Sequence, residues 1–308
     1  IVTSVRKMKF NPGHLTLDDL ASYQVKEREP VCVSYKDYEV CGMGSPSSGG
    51  LTVGQILGIL ENFDLEKQGS SLEAAHLFIE ASKLAYADRN LYMADKDFIE
   101  VPEIGLIDKG YLLNRAQLIT DRASEKAIAG YPKGSEGLLR SLQQQNERPG
   151  TTHYVVVDKY GNAASVTSTI ETGFGSRVMV GGFLLNNELT DFSFFPDRNG
   201  RLIANRVQGG KRPRSSMAPT VVLKEGKPFL ITGSPGGSRI ISYVARTILN
   251  VLEWGLDPQA AINSGHIVNR NGVTELEEET DAINLKEGLE SLGHKVKIRN
   301  LNSGLHSI

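Results

Sequence analysis

The step with the most chemical potential in this sequence is Gly150-Thr151-Thr152, where a polar loop ending in Pro149-Gly150 runs straight into a strand-like segment. Cleavage before Thr151 would place its hydroxyl beside a new α-amine. A Thr hydroxyl is a weak nucleophile at neutral pH, and an α-amine with a pKa near ~8 can take its proton, so one residue would supply both nucleophile and base. Taken alone, the same Thr pair is explained by β-propensity at a strand start. Other groupings have equally plain readings in isolation. The acidic NNELTDF segment is a solvated loop, Ser215-Ser216 before Met-Ala-Pro is a turn, and Gly236-Gly237 is a helix entrance. The Gly-rich 233–238 segment has no Gly-Lys-Ser/Thr ending and is not a phosphate loop.

The elements that would position these residues read as follows. LTLDDLASY, with Thr16 as N-cap, predicts a short helix. VCVSYKDYEVCGM predicts a hairpin; a Lys36-Asp37 turn sets Cys32 opposite Cys41, and both a cross-strand disulfide and two reduced cysteines fit. SPSSGG at 45–50 is a loop, followed by helices in VGQILGILENF and SSLEAAHLFIEASKLAYADRNLYM, where His76 on the apolar stripe reads as a core histidine. Ala123 to Gly150, rich in polar residues, is expected to be an exposed, poorly packed connection. Beyond it, TTHYVVVDKYGNAASVTSTI predicts two strands joined by a turn at Gly161-Asn162, and more strands fit GGFLLNN, TVVLKE and PFLITGS. A helix in ISYVARTILNVLEWG, helical pattern in INLKEGLESLG and a strand in KVKIRN close the chain.

The bulk numbers exclude whole classes of function. With 34 Lys plus Arg against 36 Asp plus Glu, no long-range field draws in nucleic acid or an anionic membrane. Apolar runs such as Ala245 to Leu256 are interrupted by charges and are too short to cross a bilayer. No secretory leader is visible at the start. The 6 His and 2 Cys are scattered without ligand spacing, so neither a metal nor another cofactor is expected. Elements of both kinds in both halves predict a mixed α/β protein of 308 residues, with the 123–150 connection as its seam.

Read in order, TTHYVVVDKYGNAASVTSTIETGFGSRV, LLNNELTDFS at 184–193, KRPRSSMAPT at 211–220 and ITGSPGGSRII at 231–241 resemble the small subunit of gamma-glutamyltranspeptidases. Upstream, LTLDDLASYQVKEREPV, the PSSGG loop and AYADR at 85–89 resemble the end of that family's large subunit. The family's proteins are longer at both ends, so the chain is expected to lack the start of the large subunit and the end of the small one. The resemblance implies an α+β fold, the four-layer αββα sandwich of N-terminal-nucleophile hydrolases. It divides the chain into a large-subunit region, 1–150, and a small-subunit region, 151–308, both forming one domain.

The same resemblance implies autocatalytic cleavage between Gly150 and Thr151, with Thr151 as nucleophile and Thr169 assisting it. Glu188 and Asp191 match the acidic pair that holds the substrate's α-amino group, Ser215 and Ser216 the pair on its α-carboxylate, and Gly236 and Gly237 the oxyanion hole. Glu171 stands where many members carry Asn; a third carboxylate still suits a cationic group, and branches with acylase or depolymerase activity share it. The arginine that pairs with the α-carboxylate falls upstream and is assigned to no residue here. Phe194 to Gly210 occupies the place of a lid but has no Tyr, and NSGH at 263–266 departs from the family's Ala-Pro-Arg, which reads as structural drift.

The function implied is γ-glutamyl transfer or hydrolysis on compounds such as glutathione, passing the acyl group to an acceptor amine, a peptide or water. A related acylase or poly-γ-glutamate depolymerase is the alternative within the fold, and a truncated, non-catalytic γ-glutamyl-binding protein the alternative outside it. A heterodimer of processed subunits and a periplasmic or extracellular location follow from the same resemblance, with a cytoplasmic one left open.

Overall fold

The Thr16 hydroxyl accepts from the Asp19 N–H at 3.1 Å, and the Asp19 carboxylate accepts from the Thr16 N–H at 2.7 Å. This reciprocal cap starts the Leu17–Ala21 helix. The computed structural model describes residues 1–69, 71–143, 150–301 and 303–308. Pro149, which the sequence places before the cleavage step, lies outside the described residues.

The first hairpin has the predicted register. Strands β1 (Pro30–Tyr35) and β2 (Tyr38–Met43) pair antiparallel with Tyr35 facing Tyr38 and Cys32 facing Cys41. The two cysteines form a disulfide, which decides the alternative left open above. β2 continues into the 220–224 and 227–233 strands and the sheet ends on His306–Ser307, giving a five-stranded antiparallel sheet built from both halves of the chain.

Helices Gly49–Leu60, Leu72–Tyr92 and Ile240–Leu252 cover one face of this sheet. The core lies here: Ile56, Leu60, Phe78, Ile79, Val244 and Ile248 are all buried with Tyr35, Val222 and Leu230 of the sheet. The second hairpin, β3 (Thr151–Val157) and β4 (Ala163–Thr169), lies on the opposite face. Both edges of the 227–233 strand are already hydrogen-bonded to neighbours, so the hairpin's contacts with it run through a face. The Ser165 hydroxyl donates to the Thr232 carbonyl at 3.1 Å, and the His153 ring sits where a Cβ on Gly233 would fall, 2.2 Å away. Helix, sheet and hairpin are three layers of the expected αββα order. The outer helical layer is not present among the described residues, and β3 exposes Tyr154 and Val156 on that side.

Two expectations need correction. The 123–143 part of the connection is anchored, not loosely packed: Ser124 N–H donates to Glu80 at 3.2 Å, Gly130 N–H to Asp88 at 2.8 Å, and Ala127 N–H to Asn271 at 2.8 Å. Those bonds are polar, so no apolar periodicity announced them. GGFLLNN yields only the two-residue Phe183–Leu184 strand, paired with Met179–Val180. NSGH at 263–266 is closely packed. His266 is buried against Tyr243 with ring centroids 4.3 Å apart, and a Cβ at Gly265 would fall 2.3 Å from the Thr280 hydroxyl.

The sheet strands Ile267–Asn269 and Thr274–Glu277 escaped the sequence reading; they pair antiparallel, and the second pairs parallel with Val296–Arg299. Folding also brings together histidines that looked scattered: His76, a core histidine as expected, meets His294 at 2.7 Å beside Glu80. Lys83 is 2.7 Å from Glu80, so the carboxylate already has a buried cationic partner.

Candidate active site

Seven paired residues in β3 and β4 set Thr151 directly across from Thr169, although 18 positions separate them in sequence. The Thr151 hydroxyl donates to the Thr169 hydroxyl oxygen at 3.2 Å, and the same oxygen accepts from the Glu171 N–H at 2.8 Å. Directly beneath, His153 pairs with Thr167, ring Nδ1 to hydroxyl at 2.8 Å. Burial pushes this imidazole down to about 4, so it is neutral at pH 7 and adds no charge under the nucleophile.

The chain leaves β4 through a turn that carries the acidic residues. Glu171 is buried, holds the left-handed conformation at φ 74°, and accepts from the Asn187 side-chain amide. Asn187 also accepts from the Thr172 N–H at 3.1 Å, which ties the turn to the Glu188–Asp191 helical turn. The Asp191 carbonyl is held by Asn205 at 2.8 Å and by Gln143 at 3.3 Å. Gly150 packs against this turn so closely that a Cβ would sit 1.9 Å from the Glu171 carbonyl oxygen. No residue other than glycine fits before Thr151 without moving backbone.

Ser215-Ser216 belongs to another segment. The Ser215 carbonyl accepts from both the N–H and the hydroxyl of Ser48, at 2.9 and 2.6 Å, so the SPSSGG loop is its support. The Ser216 hydroxyl oxygen accepts from the Arg89 guanidinium at 2.5 Å. At the third corner, Gly236 and Gly237 have φ of 135° and 59° ahead of the Ile240–Leu252 helix. A Cβ on Gly236 would fall 2.7 Å from the Tyr243 ring, so glycine is required by both space and conformation.

Thr151, Thr169, Glu171, Glu188, Asp191, Ser215, Ser216 and Gly237 line one cleft, together with Met217 and Ile240. Gly236 adjoins it through Gly237. Every site residue proposed from the sequence is thus brought to one place. Arg89, Ser48, Asn187 and His153 were given no role there. AYADR and PSSGG had been noticed as blocks, but only the fold shows that they back onto the serines. A second depression, lined by Leu142, Phe194, Phe195 and Ile203, lies beside the Asp197–Arg198/Arg201–Leu202 hairpin, where a tyrosine-free lid was expected.

Comparison with known proteins decides the family. The family model described as gamma-glutamyltranspeptidase matches residues 1–308. The chain belongs to the gamma-glutamyltranspeptidase family. It is 40% identical to a glutathione hydrolase proenzyme of Escherichia coli (strain K12), over 98% of this chain and 52% of that protein. It is 39% identical to the glutathione hydrolase proenzyme of Bacillus subtilis (strain 168), over 92% of this chain and 49% of the relative. Acylase ACY 1 proenzyme of Pseudomonas sp. (strain SE83) is 36% identical over 94% of the chain and 49% of its own length.

Among solved structures, the cephalosporin acylase of Bacillus halodurans superposes with a TM-score of 0.80 at 25% identity, covering 93% of this chain and 49% of that one. The chain therefore spans about half the length of the curated relatives it matches. The α+β class expected from the sequence holds, with this cephalosporin acylase as a structural neighbour.

Proposed function

We propose that this chain carries the reacting site of a gamma-glutamyltransferase or glutathione hydrolase, which acts through a γ-glutamyl ester on Thr151. The observation that carries the reading is the single cleft lined by the Thr151–Thr169 hydroxyl pair, three carboxylate residues and two serines. A donor with an α-ammonium, an α-carboxylate and a γ-amide fits that division of charge.

In this mechanism the Gly150-Thr151 bond is first broken, with the Thr151 hydroxyl attacking the Gly150 carbonyl and water releasing the resulting ester. The new Thr151 amine then takes the hydroxyl proton as its oxygen bonds to the γ-carbonyl carbon. Negative charge on the carbonyl oxygen is stabilised by backbone N–H groups at Gly236 and Gly237, a contribution of ~3 kcal/mol per donor where such holes have been dissected. As the tetrahedral species collapses, the C–N bond breaks and the amine's proton passes to the leaving nitrogen. Water or an acceptor amine repeats the sequence on the ester and returns Thr151. Thr169 orients the attacking oxygen, Glu171, Glu188 and Asp191 balance the substrate ammonium, and Ser215 and Ser216 donate to its carboxylate.

After cleavage the halves stay together as a heterodimer, a reading supported by the central sheet: β1 and β2 come from one side of Gly150 and three strands from the other. One domain built from 1–150 and 151–308 is supported in the same way. A periplasmic or extracellular location belongs to the same proposal and is supported by the Cys32–Cys41 disulfide, since such bonds persist in oxidising compartments.

The acylase alternative is raised by the ACY 1 relative, and a glutaryl group would lack the amine that the carboxylates of the cleft are proposed to balance. Turnover of γ-glutamyl anilide against its glutaryl analogue tests the choice. Preference for the γ-glutamyl compound is expected; equal or better turnover of the glutaryl compound would overturn the reading.

A further inference from the structure

The serines that face the substrate carboxylate are neutral, and hydroxyls alone recognise a carboxylate weakly. What stands behind them is charged. Arg89, in the last turn of the Leu72–Tyr92 helix, is fully buried. Its Nε donates to the Ser48 hydroxyl at 2.7 Å and its Nη2 to the Ser216 hydroxyl at 2.5 Å. Ser48 in turn donates through both N–H and Oγ to the Ser215 carbonyl. One rigid guanidinium fork therefore grips one serine from each side of the cleavage point and, through Ser48, the backbone of the third.

We propose that Arg89 is the positioning residue for carboxylate recognition in this cleft, setting the Ser216 hydroxyl as a polarised donor and locking the Ser215 backbone through Ser48. The proposal rests on the reading of Ser215 and Ser216 as the carboxylate end of the donor site. Three features support it. A hydroxyl whose oxygen accepts a charge-assisted bond is polarised by it, which makes its proton a stronger donor. Both hydroxyls gripped by Arg89 are themselves almost fully buried, at 5% exposure for Ser216 and 0% for Ser48, so their directions are fixed by packing. The guanidinium lies one hydroxyl away from the cleft lining, where its field acts on a bound anion through protein and not through bulk water. A lysine could not reproduce this, because its ammonium cannot span two acceptors in the planar geometry of the fork.

The test separates the two layers of the argument with a pair of substrates. γ-Glutamyl anilide carries the α-carboxylate; 4-aminobutyryl anilide keeps the amine and the scissile amide but lacks it. Parent protein, Ser216→Ala, Arg89→Lys and Ser48→Ala are compared after confirming cleavage at Gly150-Thr151 and the melting temperature. For Arg89→Lys, KM for the γ-glutamyl substrate is expected to rise about tenfold to a hundredfold with kcat little changed, while kcat/KM for the 4-aminobutyryl substrate stays within about twofold. Ser48→Ala, a small change that removes one arm of the grip, is expected to give a smaller rise of the same kind.

If Ser216→Ala harms both substrates equally, the serine pair is not the carboxylate end and that underlying reading fails. If Ser216→Ala is selective for the γ-glutamyl substrate but Arg89→Lys and Ser48→Ala leave discrimination at the parent level, the serine reading stands and the Arg89 proposal is overturned. Should Arg89→Lys not fold or process, Ser48→Ala alone decides: a loss confined to the γ-glutamyl substrate supports the proposal, and equal or no losses overturn it.

Discussion

The two ends of the cleft are built by opposite means. Where the substrate ammonium is proposed to bind, the groups carry formal charge: Glu188 and Asp191 are half-buried on a short helical turn, and Glu171 is held by Asn187. Where the substrate carboxylate is proposed to bind, the lining groups are neutral serines, and the charge stands behind Ser216 on Arg89 in the core. A guanidinium committed to the core has its desolvation offset by fixed partners formed on folding. Specificity at the first end should therefore be sensitive to the side chain alone, and at the second to the whole packed array.

The largest effect expected from this contrast is at Asp191. Asp191→Asn should lower kcat/KM for γ-glutamyl anilide by about a hundredfold or more through KM, leaving cleavage at Gly150 intact. An equal loss on a substrate without the α-amine would break the comparison, since the carboxylate would then act on something other than the ammonium. Next comes the turn beneath it. Gly150→Ala forces a Cβ against the Glu171 carbonyl and should slow self-cleavage about tenfold, followed as conversion of one band to two on a denaturing gel.

Glu171→Gln is expected to cost about tenfold in kcat/KM, less than Asp191→Asn, because the amide can keep its partnership with Asn187. A loss exceeding that of Asp191→Asn would make Glu171 the principal ammonium partner.

The smallest effect concerns the framework both ends share. His153, His266 and His294 are each pushed from 6.5 down to about 4 by burial. The unfolded chain therefore takes up protons before the folded one as pH falls. Their neutral burial favours the fold fully above about 6.5, and that stability drains away toward about 4. The melting temperature should drop by several degrees between pH 7.5 and pH 5; a flat profile would show these rings to be solvated.

What could be read from the sequence was what depends on neighbours along the chain. Thr16 and Asp19 cap each other three residues apart, and Cys32 finds Cys41 because a two-residue turn fixes the register. The hairpin that joins Thr151 to Thr169 is of the same kind. The carboxylate end was only half legible: Ser215 and Ser216 were visible as a motif, while Arg89, 127 positions away from Ser216, contacts it only once helix and loop have packed. The same reason hid the His76–His294 pair, separated by 218 positions, and the polar anchors of the 123–143 segment. Long-range polar contacts leave no periodicity to find.

The central claim is that Thr151 becomes an N-terminus and then the nucleophile. Intact-mass analysis of the purified protein, combined with N-terminal sequencing of its fragments and with the Thr151→Ala variant alongside, tests it most directly. The account predicts a fragment that begins Thr-Thr-His-Tyr and gains the mass of a γ-glutamyl group on Thr151 when donor is added and the reaction is quenched, with Thr151→Ala remaining a single inactive chain. A mature N-terminus elsewhere, or turnover by the alanine variant, would contradict it.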